Sequence, residues 1–445
     1  MRGGSVFDAI VVGARCAGSP TAMLLARGGH RVLLLERAQL PSDVLSTHFL
    51  WPHGMSYLSR WGLLESVLRT TPSHTAVHIV NEGISLTGEV PEKLLRTHFE
   101  ELHGDGDGVV TAHASVRRRV LDEILMDAAA SAGADVRQGC TVDELIVEEG
   151  RVVGVRGRTR AGTRFEERAR IVVGADGRNS FVARALGLTK YDERPRCTFA
   201  YWTYYSGFAP GGLQLHRRGR LAAAVVPTNF DQNMTLVWGP SEWASAFRSD
   251  VGGHFLQALS FVSPDLAEQV RSEGQQEERF YGTLDQAAYL RPLYGPGWVL
   301  VGDAESFKDQ CTATGMTHAF RDAELAATAI GSWLGGHEPL DRALRSYEER
   351  RRSQNAAAYY DYACTLAEMR PLRHDELQLL AALRGNQEET DRYIATHADI
   401  APVSEFFQAS NLFLINDAAR ETSDRHAIFD GFAETSRSYL RNPFS

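Results

Sequence analysis

Cysteine is sparse in this chain of 445 residues, and none of it is paired in sequence. The five residues Cys16, Cys140, Cys197, Cys311 and Cys364 are scattered, with no C-x-x-C among them. That argues against a disulfide framework and a cysteine zinc site, and it fits a reducing, cytoplasmic setting. Long apolar runs are missing too: no stretch approaches the roughly 20 residues of a membrane span. Asp8, inside the first apolar run, speaks against a signal peptide. Basic charge is not in excess, since 47 Lys and Arg face 56 Asp and Glu for a net charge of −9. A nucleic-acid binder usually shows the opposite balance. There is no G-x-S-x-G elbow, no H-E-x-x-H and no P-loop. The expectation is a cytoplasmic protein with no metal, no membrane contact and no nucleic-acid partner.

What is present is a globular composition, 43% hydrophobic and 23% charged, in a chain long enough for two or three domains. Phe7 to Val12 is an apolar, strand-like run, Gly13-Ala14-Arg15-Cys16-Ala17-Gly18 is a glycine turn, and Ala22 to Ala26 is helix-like. A second strand-like run, Arg31 to Leu35, ends at Glu36. Strand, turn, helix, strand and acid in that order form the layout of a dinucleotide site. The turn and helix N-terminus hold a pyrophosphate there, and the acid accepts a ribose hydroxyl. Gly13 and Gly18 serve the tight turn and the close helix–strand packing. Arg15 occupies the place of the usual middle glycine, either to meet a phosphate or to point outward.

Further along, helical spacing covers 54–64 and Arg117 to Ala132, and 102–108 is a loop by composition. Residues 136–173 alternate as strands, with hairpin turns at Glu149-Gly150 and Ala161-Gly162. The aromatic stretch 196–240 predicts a separate antiparallel sheet, whose aromatics 199–208 suit a sheet core more than a substrate cage. From about residue 317 the pattern is helical almost to the end. Arg217-Arg218 and Arg350-Arg351-Arg352 read as solvated faces.

Two further motifs strengthen the first. One is Val173-Gly174-Ala175-Asp176-Gly177-Arg178, with Arg184 behind it. The other is Val301-Gly302-Asp303-Ala304, followed by Gly315-Met316 and Asp322-Ala323. Together the trio resembles the FAD-dependent monooxygenases of the aromatic-hydroxylase type, the group A flavoproteins, with Arg15 matching an actinobacterial subgroup. The resemblance implies an α/β Rossmann-like FAD-binding fold with an inserted antiparallel β-sheet substrate domain and a helical C-terminal region. It divides the chain into an FAD-binding domain at 1–75, 105–190 and 280–335, a substrate domain at 76–104 and 191–279, and helices at 336–445.

It also implies FAD as cofactor, NADH or NADPH as reductant, and a flavin C4a-hydroperoxide that passes oxygen from O2 to a small, aromatic or polyketide-like substrate. The cofactor residues it implies are Gly13, Arg15, Gly18, Glu36, Arg37, Arg118, Asp303, Gly315 and Met316. Asp303 falls on the ribityl chain, and Gly315 and Met316 bring backbone N–H groups to the pyrimidine edge of the flavin. Asp176 is a backbone organiser, and Arg117 and Arg119 are solvated neighbours of Arg118. His48 is either a donor or substrate contact beside the flavin or a satisfied structural histidine. After Gly-Asp-Ala, many relatives carry a histidine and then a proline where this chain has Ser306 and Gln310. Gln310 therefore stands near the place of oxygen chemistry. A flavin halogenase, a double-bond reductase and an inert nucleotide-binding protein are the alternatives. The absence of a W-x-W-x-I-P segment around Trp202 and Trp238 counts against the halogenase.

Overall fold

The computed structural model describes residues 6–42, 46–418 and 442–444. The chain opens with strand β1 (Phe7–Val12), helix α1 (Gly18–Arg27) and strand β2 (Val32–Glu36). Strands β3 (Val77–Asn81) and β4 (Ile84–Gly88) follow, then helix α2 (Arg118–Ser131). Next come β5 (Asp135–Gln138), β6 (Cys140–Glu148), β7 (Arg151–Thr159) and β8 (Arg164–Gly174). A second set of strands is β9 (Thr198–Ser206), β10 (Leu213–Arg218), β11 (Leu221–Thr228) and β12 (Gln232–Pro240), backed by helix α3 (Val251–Val262). Strand β13 (Trp298–Leu300) then leads to helices α4 (Gly315–Leu334), α5 (Leu340–Arg351), α6 (Gln354–Ala367), α7 (His374–Leu383) and α8 (Gln387–His397).

In the first sheet, β1 runs parallel between β8 and β2, with β13 beyond β8 and β5 beyond β2. Both of its faces are covered, so β1 reads as an apolar run without polar alternation. Ala9 and Val11 pack with α1 residues such as Ala22 and Met23, while Ile10 and Val12 face a second core with Val172 and Leu300. The hairpins foreseen at 149–150 and 161–162 join β6, β7 and β8.

The second sheet runs β9, β12, β11, β10, β3, β4, antiparallel except where β10 meets β3. Strand alternation splits β9. Phe199 and Tyr205 pack with α3 residues, and Ala200, Trp202 and Tyr204 join the main core. Among the helices that went unforeseen are Glu92–His103, Val251–Val262 and Pro264–Ser272. Helical structure continues to Ala418, and the expected helical reading of 419–441 lies outside the described residues.

Of the arginine run at 350–352, only Arg350 is an exposed, solvated residue. Arg351 is 6% exposed and ion-paired to Asp322 at 2.6 Å and Glu305 at 3.1 Å, and Arg352 meets Glu305 at 3.2 Å and Glu348 at 2.7 Å. Asp322 and Glu305 come from distant parts of the chain, so a local charge count sees only Glu348. Among the described residues, no helix is long and apolar enough to cross a membrane.

Candidate active site

A cavity of about 990 Å³ runs along the C-terminal edge of the first sheet and under the second. At one end lies the glycine turn. Gly13 has φ +102°, and a Cβ on it would stand 2.5 Å from the Ala175 carbonyl oxygen. A Cβ on Gly18 would stand 1.7 Å from the Gly13 oxygen. These two glycines let α1 start directly on the turn. No side chain caps α1 and no acid sits in its first turn; the Ser19 and Thr21 amides bond back to the Arg15 and Ala17 carbonyls, so it is chiefly the helix dipole that is left for an anion. Glu36, buried at the end of β2, accepts the Ala14 and Ala38 amides at 2.8 Å each and walls the cavity beside Arg37.

Arg15 does not point outward. Its Nη1 donates to Asp122 at 2.7 Å and its Nη2 to Ser42 Oγ at 3.0 Å, and the side chain lines the cavity. Arg118 holds the same carboxylate through Nε and Nη2, both at 3.0 Å. Two guanidinium groups thus share one buried carboxylate, leaving one positive charge beside the glycine turn. Burial opposes the charge on Arg118, and Asp122 outweighs it, so its pKa is raised. Burial pushes the neighbouring Cys16 thiol up to about 12, which keeps it a neutral donor to Asp122 at 3.6 Å.

Arg117 is no solvated neighbour. It is 1% exposed, pairs with Glu278 at 2.9 Å, and lays its guanidinium 3.7 Å over the Tyr204 ring. Its environment is closed by β9, which the helix pattern around 117 does not reveal. Asp176 accepts the amides of Phe181 at 2.6 Å and Val182 at 3.1 Å, the part of a backbone organiser, and Arg184 donates to the Asn179 carbonyl.

At the other end, the segment after β13 turns at Gly302, whose amide donates to Asp322 at 3.2 Å. Asp303 and Lys308 line the cavity there, with Gly315 and Met316 at the start of α4. Helix α4 also begins with no side-chain cap and no acid in its first turn. Burial raises the Asp303 carboxyl, against Lys308, Arg118 and Arg178, which pull it down. Burial brings Lys308 down to about 8, helped by Arg351 and Arg321. Gln310 lines the same wall, and its Nε2 is buried without a partner.

Trp202 and Tyr281, stacked at 6.0 Å, and Tyr204 close the cavity from the second sheet. The expectation for these aromatics is therefore only half met: the side chains on one face of β9 are core, and those on the other are wall. His48 is 1% exposed with φ +57°, and its Nε2 lies 2.6 Å from the Tyr204 hydroxyl. Tyr204 presents its surface to the cavity, and His48 stands behind it. The Cys311 thiol donates to Asp309 at 3.0 Å.

Asp122, Lys308 and Tyr281 are the residues at this cavity that the sequence reasoning passed over. A signal existed for Asp122, four positions after Arg118 on one helix face, and for Lys308, inside the segment between two motifs. Among the described residues, no group of three or more His, Cys, Asp or Glu is arranged to hold a metal ion.

The donor set fits FAD: an uncapped helix on a glycine turn with net positive charge, an acid at the end of β2, and a second uncapped helix far along the same cavity. Comparison with known proteins agrees. Residues 6–205 match the family described as FAD binding domain. The chain is 28% identical to the digeranylgeranylglycerophospholipid reductase of Methanocella arvoryzae, over 77% of this chain and 82% of that protein. The solved flavin-dependent brominase Bmp2 superposes with a TM-score of 0.72 at 17% identity, over 94% of this chain and 99% of the brominase. The structure described as "pqsL, a probable FAD-dependent monooxygenase from Pseudomonas aeruginosa" superposes with a TM-score of 0.62 at 21% identity, over 88% and 99% of the two chains. Residues 6–205 thus carry an FAD binding domain, the chain is an FAD-dependent oxidoreductase, and its fold is that of the brominase and the pqsL structure.

Proposed function

We propose that this enzyme is a monooxygenase that uses NADH or NADPH and O2 to place one oxygen atom on a small aromatic or polyketide-like metabolite. The balance is substrate C–H, O2, NAD(P)H and a proton giving C–OH, water and NAD(P)⁺. One observation carries the reading. A single cavity joins the dinucleotide cradle to an enclosed space walled by Trp202, Tyr204, Tyr281 and Gln310. Bound FAD supplies the acceptance of electrons from the nicotinamide and the activation of O2. The protein supplies position, shielding from water and electrostatics.

In this proposal Gly13, Gly18 and α1 cradle the pyrophosphate, with Arg15 and Arg118 beside it. Glu36 and Arg37 hold the adenosine, and Asp303 the ribityl chain. The amides of Gly315 and Met316 and the ammonium of Lys308 favour the negative charge that a reduced flavin carries. The unpartnered Gln310 amide donates to substrate or oxygen, and His48 acts only by fixing the Tyr204 hydroxyl. The proposal keeps the division into an FAD part at 1–75, 105–190 and 280–335, a substrate part at 76–104 and 191–279, and a helical part from 336.

A second reading, reduction of a carbon–carbon double bond, is favoured by the likeness to the Methanocella reductase. The test loads purified protein with FAD and follows NADH and NADPH oxidation with and without candidate phenols, in air and without oxygen. The monooxygenase reading expects a yellow protein whose nicotinamide oxidation requires O2 and rises with a phenol. Failure to take up FAD overturns both readings. Anaerobic reduction of an unsaturated acceptor selects the second.

A further inference from the structure

A small pocket of about 40 Å³ shares the walls Thr47, Gln310 and Ala313 with the large cavity. On its other side it shares Leu215, Trp238, Cys311 and His397 with a second chamber of about 330 Å³, and so marks a narrow throat between the two. This chamber lies between the second sheet and helices α6, α7 and α8. Register sets the floor of the throat and the chamber in rungs, the first two under the throat and the third under the chamber. Val226 lies opposite Met234; Ala224 lies between Leu215 and Leu236; Ala222 lies between Arg217 and Trp238. Successive rungs are two residues apart, about 7 Å, so the face spans about 13 Å. The first two rungs are wholly apolar, and the third carries Arg217.

Arg217 is out of keeping with those surroundings. Its Nη2 donates to the Arg370 carbonyl, but its Nε is shut off from solvent with no partner. A guanidinium stays charged in proteins, and a buried charge without a counter-ion is costly. Of the nearby carboxylates, Glu376 takes both Nη groups of Arg370, at 2.7 and 2.6 Å, and the Arg373 amide at 2.7 Å, whereas Glu82 accepts the Gly219 amide at 2.6 Å through one oxygen, keeps the other buried without a hydrogen bond, and attracts Arg217 only through space. Arg217, Arg370 and Arg373 line the chamber with Glu376 as the one carboxylate of its lining. Burial lowers the Arg217 pKa, and Cys311 and Glu82, the next influences, offset this only in part. The expectation that Arg217 sits on a solvated face is met only in part: the residue is half-buried, because α6 to α8 cover that end of β10.

We propose that this chamber takes the far end of the substrate, and that the substrate is a flat apolar molecule bearing a carboxylate that pairs with Arg217. The proposal rests on the flavin-side cavity being the place of oxidation. A carboxylate matches the guanidinium fork, Trp238, Tyr362 and Tyr393 supply aromatic walls, and the opposite end of the molecule reaches through the throat to Gln310. Arg217 is then a specificity-determining residue that chooses and orients substrate without touching the reacting atoms.

The test titrates FAD-loaded protein with benzoate, naphthoate and biphenyl carboxylate, each beside its methyl ester, by calorimetry and tryptophan fluorescence. At least one acid should bind about tenfold or more tightly than its ester. Arg217→Met should abolish that preference while leaving ester affinity and FAD content unchanged, and Arg217→Lys should restore part of it. Equal binding of acid and ester to the wild type, no binding of any acid, or an acid preference that survives in Arg217→Met overturns the proposal. Should Arg217→Met fail to fold, the wild-type comparison decides alone. Binding requires no turnover, so Arg217-dependent acid binding without NADH or NADPH oxidation keeps the anion site and removes the oxidation reading.

Discussion

Gly18 and Asp122 show two ways in which a single residue holds the dinucleotide end of the cavity. Gly18 acts by absence, because any Cβ there would meet the Gly13 carbonyl oxygen at 1.7 Å. Gly18→Ala should therefore cost about 1–3 kcal/mol through overpacking and weaken FAD retention by at least about tenfold, read by thermal melting and by the flavin absorbance that survives gel filtration. Asp122 acts by charge. Fully buried, it receives Arg15, Arg118 and the Cys16 thiol. Asp122→Asn leaves two largely buried guanidinium groups without a counter-charge, and urea denaturation should show a loss of about 3–5 kcal/mol. Gly13, Gly18 and Glu36 were legible in the sequence because a turn, a close approach and a strand end are local demands met within a short segment. Asp122 was not, because Arg15 lies 107 positions away. The burial of Arg117 and Arg351 was hidden for the same reason: composition shows the charge but not the partner.

Among the elements, the segment between β13 and α4 carries the most consequence for chemistry. It begins at Gly302, passes Lys308 and Gln310, and delivers the chain to the uncapped start of α4. Lys308 has its pKa brought by burial from the usual 10.5 to about 8. The unfolded chain therefore holds this proton more tightly than the folded protein between those two values, and stability rises with pH across that window. The cost of the buried charge is fully present below about 8 and gone above 10.5. Lys308→Met should be the more stable protein at pH 7 by on the order of 3 kcal/mol. Denaturant midpoints taken across the window should see that difference close as pH rises. A difference constant with pH would mean that Lys308 is not buried as a charge. The element pattern itself was read well wherever periodicity is strong, as in α2, the β6–β7–β8 hairpins and β9 to β12. The helix Glu92–His103 was missed because only Leu95 and Phe99 of its residues are buried, too narrow a stripe to stand out.

At the scale of the whole molecule, function comes from two sheets and a helical cover brought together. The glycine turn, Asp176 and Asp303 foretold the first sheet and its cofactor. They did not foretell the second chamber, whose walls come from β10 to β12 on one side and α6 to α8 on the other. Strand register decides that Leu215 and Arg217 share a face with Ala222 and Trp238, and helix docking decides that Arg217 is half-buried. Neither is written in local sequence, so the same arginine pair reads as a solvated face until the fold is known. Gln310 stands in the wall that the large cavity shares with the small pocket leading toward that chamber. The most direct measurement of the central claim is a turnover with NADH or NADPH under oxygen-18 gas, using phenols that carry a carboxylate. The account predicts a product containing a single oxygen-18 atom, formed only when FAD is bound. Nicotinamide oxidation that leaves every such substrate without label, while an unsaturated acceptor is reduced in the absence of oxygen, would contradict it.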